Sequence, residues 1–201
     1  TQSSLDRIAQ LQSTLNAFLE VWEESALEDA RVAEAEIAAG RYLGPLHGIP
    51  VGLKDLIDVA GAKTTGGSRV LANNMATFDA TVVAKLRSAG AIFMGKLNLV
   101  EFALGFTGLN SHTGDVKNPW NNERITAGSS SGSAAAVTAG MLPVSLGSDT
   151  GGSIRMPAAL CGIAGLKPTY GRVSRAGVLD LSWSMDHVGP MTRTTQDCAL
   201  M

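Results

Sequence analysis

An α/β fold, a sheet layered with helices, is what this sequence predicts, and three observations carry the prediction. Short apolar runs at 51–59, 91–94 and 143–146 have the length and composition of buried strands. Segments with apolar residues every three or four positions alternate with them, as layered α/β folds require. Two glycine- and serine-rich loops, 128–133 and 147–155, flank one short apolar segment, and α/β sheets gather such loops at their strand ends.

Taken in order, Leu5, Ile8, Leu11, Leu15, Phe18 and Trp22 recur at helical steps and predict one amphipathic helix over 5–22. Leu27, Ala30, Ala33 and Ile37 predict a second, with Gly40 as its stop. Residues 44–50 are punctuated as a turn with an extended approach, and 51–59 reads as a buried strand carrying Lys54. Val82, Val83 and Leu86 give 81–88 an apolar helical face; Gly90 ends it and 91–94 returns as a strand. A helix is expected over 97–105, and the polar stretch 107–127 reads as turns. Residues 133–139 form a small-residue helix directly after the first serine loop, 143–146 is the strand that delivers the second, and 198–201 reads as helix. No repeat or linker divides 1–201, which reads as one domain.

Composition narrows the function classes. Of 201 residues 45% are hydrophobic and 17% charged, the balance of a soluble globular domain. A net charge of −2 gives no electrostatic case for nucleic acid or an anionic membrane, and no apolar run reaches the roughly 18 residues of a spanning helix. Cys161 and Cys198 have no paired spacing, so no disulfide framework or zinc site is expected, and a cytoplasmic protein with reduced thiols is. The chain opens on Thr1 and stops inside a helical pattern, so a longer parent protein is expected.

Four arrangements bear chemistry. Residues 90–97 approach a phosphate-binding loop, but Leu97 stands where the magnesium-binding hydroxyl belongs and the segment is apolar enough to be a strand. Gly128-Ser129-Ser130-Ser131-Gly132 centres a Gly-x-Ser-x-Gly on Ser130, with His187 and Asp186 or Asp180 as triad partners, yet its polar approach is not the buried strand that elbow follows. His47 and His112 fall in turns and form no metal set. Lys54, inside an apolar run, is either desolvated into a neutral base able to activate a serine, or an ion-pair partner of Asp55 or Asp58, or an exposed strand residue; the pattern leaves these open.

Three segments together resemble the amidase signature family. Gly44-Pro45-Leu46-His47-Gly48-Ile49-Pro50-Val51-Gly52-Leu53-Lys54-Asp55 is similar to its lysine-bearing strand, residues 127–137 to its glycine-serine signature, and 146–155, continued by 161–171, to its nucleophile segment. Motif order and spacing agree with the family, with Lys54 75 residues before Ser129 and Ser129 24 before Ser153.

The resemblance implies a mixed, mostly parallel central sheet covered by helices, of which 1–201 is the N-terminal part, the C-terminal remainder lying on a further segment. It implies a Ser–cis-Ser–Lys triad with Ser153 as nucleophile, Ser129 as proton bridge and Lys54 as base. The N–H groups of Thr150, Gly151, Gly152 and Ser153 would form the oxyanion hole. Ser130, Asp149 and Arg155 would hold the loops in place, a plain Asp149–Arg155 salt bridge being at least as good an account of those two, and Ala103 would line the acyl pocket. Ala127 and Ser131 replace usual glycines, Ser131 being the one expected to disturb a positive-φ position.

The implied reaction is amide hydrolysis through an acyl-enzyme without metal or cofactor, the partner a small-molecule amide. Ester or carbamate cleavage by the same triad, the glutaminase subunit of a tRNA-dependent amidotransferase, and a catalytically silent interaction domain stand as alternatives.

Overall fold

Asn16 ends the first helix where periodicity alone would carry it on. The computed structural model describes residues 1–201. In it α1 covers Gln2–Leu15, and Asn16 adopts φ 53°, a left-handed conformation that asparagine tolerates. The Gln12 side chain then donates to Phe18 O at 2.8 Å and accepts from Phe18 N at 2.9 Å, tying the outgoing strand to the helix just left. Phe18–Val21 is therefore β1 and not helix, and α2 (Glu23–Ala38) follows at once.

The remaining elements are β2 (Pro50–Lys54), α3 (Thr81–Ser88), β3 (Ile92–Leu97), a 3-10 turn Glu101–Ala103, β4 (Lys117–Asn118), β5 (Asn121–Ile125), α4 (Ser131–Thr138) and β6 (Val144–Asp149). After these come α5 (Arg155–Cys161), β7 (Ala164–Gly165), β8 (His187–Thr192) and α6 (Thr195–Leu200). The sheet has the order β1-β3-β2-β6-β8-β7, with β4 and β5 a separate hairpin. Strands β3, β2 and β6 are mutually parallel, while β1 and β8 run against their neighbours and β7 against β8, so four of the six point one way. One face packs Ile92, Met94 and Leu97 against α1 and α4; the other packs Val51, Leu53, Phe93 and Leu146 against α3. No helix is long and apolar enough to cross a membrane.

Several expected boundaries move. The 51–59 strand stops at Lys54, whose carbonyl accepts the N–H groups of Leu56 (2.7 Å) and Ile57 (3.0 Å) and turns the chain. The 97–105 helix does not form. There Val100 N–H donates to Ser129 O, Phe102 N–H to Gly66 O and Leu99 N–H to the Asn98 side chain, so long-range acceptors replace the i−4 carbonyls a helix would need. Helix α5, with Pro157 inside its first turn, and β8, with Gly189 and Pro190, escape sequence reading because proline argues against both elements in general.

One bulge decides where two lysines point. Between Val51/Gly52 of β2 and Phe93/Gly95 of β3 an extra residue enters β3, and Gly95 takes φ 141° where a Cβ would stand 2.0 Å from Glu20 O. That insertion sets Lys96 opposite Leu53 and Leu97 opposite Lys54. Because side chains alternate along a strand, Lys54 and Lys96 leave the sheet on opposite faces.

Candidate active site

Strand β2 ends by carrying a long cationic side chain into a nest of hydroxyls. Lys54 Nζ lies 2.7 Å from Ser129 Oγ, 2.9 Å from Ser148 Oγ and 3.0 Å from Ser130 Oγ. Lys54, Ser129 and Ser130 are fully buried, and no carboxylate touches the amine. Of the open readings of Lys54 the ion pair with Asp55 is excluded, since that carboxylate belongs to Lys96 at 3.2 Å. Burial lowers Lys54 from 10.5 to about 7, against the opposing fields of Asp149 and Asp186. An amine so placed is substantially neutral near neutral pH and can accept a proton.

The hydroxyls come from two loops. The Gly128–Ser129 peptide is cis. Ser129 O accepts from Val100 N at 3.2 Å, and Gly132 N–H donates to Asn98 O at 3.0 Å. A Cβ on Gly132 would meet Ala17 O at 2.3 Å, so only glycine lets α4 start this close to the 98–100 turn. Ser130 Oγ donates to Ser148 O at 3.1 Å and accepts from Ser148 N at 3.2 Å, which joins the first loop to β6. Ser130 N–H donates to Ser153 O at 3.2 Å, which joins it to the second.

The second loop is wound around one carboxylate. Asp149, at the end of β6, accepts from Gly152 N (2.8 Å), Ile154 N (3.1 Å) and Arg155 N (3.3 Å), and from Arg155 Nε (3.0 Å) and Nη2 (2.9 Å). Burial pushes its carboxyl up, but the Arg155 guanidinium and the two backbone donors outweigh that and hold it below the usual carboxylate range. The pair is thus a salt bridge and a loop-holding device at once.

Ser153 is 3% exposed as a residue, and its hydroxyl makes no hydrogen bond to Ser129. Gly152 N–H is committed to Asp149, so of the four amides expected to face an oxyanion, those of Thr150, Gly151 and Ser153 are the ones without an acceptor in the chain. Three free amides beside a serine are what a developing oxyanion needs.

Other candidates resolve as structure. His187 Nδ1 lies 3.1 Å from Asp149 O and Nε2 3.2 Å from Lys167 Nζ, so both ring nitrogens are engaged away from Ser130 and the elbow triad is not assembled. Asp180 pairs with Arg175. His47 contacts Glu36 and His112 contacts Glu101. The 90–97 segment is strand β3 with its lysine buried, as its apolarity suggests. Ala103 is buried beside Leu56 and Leu99 and shares a small cavity with Ser148, Thr150 and Asp186.

The two glycine replacements behave the other way round from expectation. Ala127 holds the positive φ, 58°, whereas Ser131 is helical and instead leaves its buried hydroxyl unpartnered. Sequence reasoning assigns no role to Ser148 and sees Asp186 only as a partner for His187. Asp186 in fact accepts from Thr150 Oγ1 at 2.5 Å and from Leu181 N and Ser182 N, anchoring the loop that carries the free amides. Only the antiparallel pairing of β6 with β8 brings it there.

Known proteins resemble the chain throughout its length. The Amidase family model matches residues 1–201. The chain is 53% identical over 201 residues to the A subunit of glutamyl-tRNA(Gln) amidotransferase from Roseiflexus sp. (strain RS-1) and 54% to that of Pseudomonas syringae pv. tomato. Each match covers all of this chain and 41% of the relative. Among solved structures, native peptide amidase from Stenotrophomonas maltophilia superposes with a TM-score of 0.93 at 44% identity, over 98% of this chain and 42% of that one. The amidotransferase A subunit from Thermotoga maritima superposes with a TM-score of 0.84 at 43% identity, over 98% and 41%.

Proposed function

The chain belongs to the amidase signature family, and from that premise we propose that Lys54, Ser129 and Ser153 form a relay that cleaves amide bonds through a serine acyl-enzyme. One observation carries the reading, the 2.7 Å approach of a fully buried amine, without a carboxylate partner, to Ser129 Oγ. A serine hydroxyl is a weak nucleophile until its proton has a destination. In the proposed sequence Ser153 Oγ attacks the carbonyl carbon and passes its proton to Ser129, whose own proton moves to Lys54. The amides of Thr150, Gly151 and Ser153 take the oxyanion. Collapse breaks the C–N bond as the relay returns a proton to the leaving nitrogen. Water, deprotonated through the same groups, then adds to the acyl carbon and releases a carboxylic acid and Ser153.

The test is covalent labelling of the full-length protein with a fluorophosphonate. Labelling should vanish in Ser153→Ala and persist in Ser130→Ala; the opposite result would assign the nucleophile to the elbow serine. A second reading has its own support in the A subunits matched at 53–54% identity, while the Thermotoga maritima A subunit, at 43%, stands level with the peptide amidase at 44%. The amide would then be glutamine, and ammonia release from glutamine that needs a partner protein separates this from a stand-alone amidase. Ester and carbamate substrates fit the same acyl-enzyme and belong in that assay panel.

A further inference from the structure

We propose that Ser148 is a positioning residue for the proton relay, its hydroxyl taking one N–H of the neutral Lys54 amine and so turning the nitrogen lone pair toward Ser129. The inference rests on Lys54 being the base, and it follows from counting hydrogens. A neutral amine has two N–H groups and one lone pair, and Lys54 Nζ has three hydroxyl neighbours. Ser130 has one hydroxyl hydrogen, given to Ser148 O at 3.1 Å, so toward the amine Ser130 acts only as acceptor. With the Ser148 N–H at 3.2 Å it then has both lone pairs filled. One amine N–H is thereby assigned.

The lone pair is left with Ser129 or Ser148. Ser129 relays a proton only by donating to the amine, so Ser148 Oγ must accept the second N–H. Ser148 therefore acts twice. Its backbone fixes Ser130 as an acceptor, and its side chain takes the remaining amine hydrogen. Without that hydroxyl, the second N–H turns to Ser129 and reverses the bond the relay uses. The Ser148–Val188 register with β8 holds the residue on one side, and on the other, where the pairing of β2 with β6 has ended at Leu146, Ser130 Oγ holds its carbonyl and N–H.

The experiment is the second-order rate of fluorophosphonate labelling against pH in the full-length enzyme. Ser148→Ala should lower the plateau rate by roughly 10- to 100-fold, part of the ~10²–10⁴ that general-base catalysis supplies. Its acid limb should move to lower pH, because the ammonium form loses an acceptor. Ser148→Thr, which keeps the hydroxyl, should label within about threefold of wild type, while its isostere Ser148→Val should be as slow as the alanine variant. The Thr/Val pair reads the hydroxyl even if the alanine variant folds poorly. A wild-type plateau in Ser148→Ala would overturn the proposal. So would equal rates for the Thr and Val variants, or an acid limb moving upward, the sign of water entering a damaged site. Labelling that survives in Ser153→Ala would instead sink the triad reading, leaving the Ser148 comparison to be judged separately.

Discussion

Two lysines stand on adjacent strands, equally buried, and do opposite things. Lys54 on β2 and Lys96 on β3 are 0% and 1% exposed. Lys96 Nζ meets Asp55 Oδ1 (3.2 Å), Ile57 O (2.6 Å) and Thr64 Oγ1 (3.0 Å), so each ammonium hydrogen has an acceptor and one of them is anionic. Burial pushes Lys96 down and Asp55 up, and each restrains the other. Lys54 is surrounded instead by three hydroxyls, groups that donate as readily as they accept. Burial alone therefore does not make a base. What the amine can exchange with its neighbours decides, and the β3 bulge at Gly95 sorts the two side chains onto different faces.

Substituting each lysine by methionine tests the contrast most sharply. Lys54→Met is expected to slow fluorophosphonate labelling on the order of 10³-fold, within the range for loss of a general base, while leaving the denaturant midpoint unchanged or higher. Lys96→Met should do the reverse. It strands Asp55 without a cation and is expected to cost about 3–5 kcal/mol in urea unfolding, with labelling per folded molecule close to wild type. Exchange of those two phenotypes would break the comparison.

The pH dependence comes next in size. Below about 7 Lys54 is protonated, so labelling should fall roughly tenfold per pH unit there and level off above. Stability carries the matching sign. Between about 7 and 10.5 the unfolded chain holds a proton that the folded chain has shed, so stability rises with pH across that window. Lys54→Met should flatten the labelling profile and make the stability curve less steep, the slope that remains belonging to Lys96, which burial also lowers. A labelling profile level between pH 5 and 9 would remove Lys54 from the relay.

The smallest expected effect concerns the anchor of the free amides. Thr150→Val deletes the hydroxyl that Asp186 accepts and should reduce labelling about tenfold with little change in stability, less than the 10²-fold that a displacement of about 1 Å can cost. Measured alongside Lys96→Met, it shows whether a loop contact touches rate without touching folding.

Much of the molecule is legible in its sequence because it is written in local chemistry. The alternation of apolar runs and helical periods predicts a layered α/β fold, the serine and glycine loops and one lysine in an apolar strand supply candidate groups, and the family resemblance assembles them into a site. Lys54 and Ser130 stand out from those patterns, Ser129 and Asp149 from the family resemblance, and the structure brings all four within the hydrogen-bonded loops described above. The misses share a cause. Helical spacing through Phe18 and Trp22 is real, but a left-handed Asn16 and a glutamine side chain redirect the backbone. The 97–105 segment has helical composition, but its N–H groups find partners in the serine loop and at Gly66.

Residue types and spacing by themselves determined which groups are present, and the resemblance to the amidase signature family is what joined a lysine in an apolar run to two hydroxyl-rich loops. Only the tertiary structure decided which lysine meets which partners, because facing depends on a one-residue bulge. It alone also brought Ser148 and Asp186 to the site and spent Gly152 N–H on Asp149. Each of those outcomes is a choice among hydrogen-bond partners made by strand register and long-range contact, and no local pattern encodes that choice.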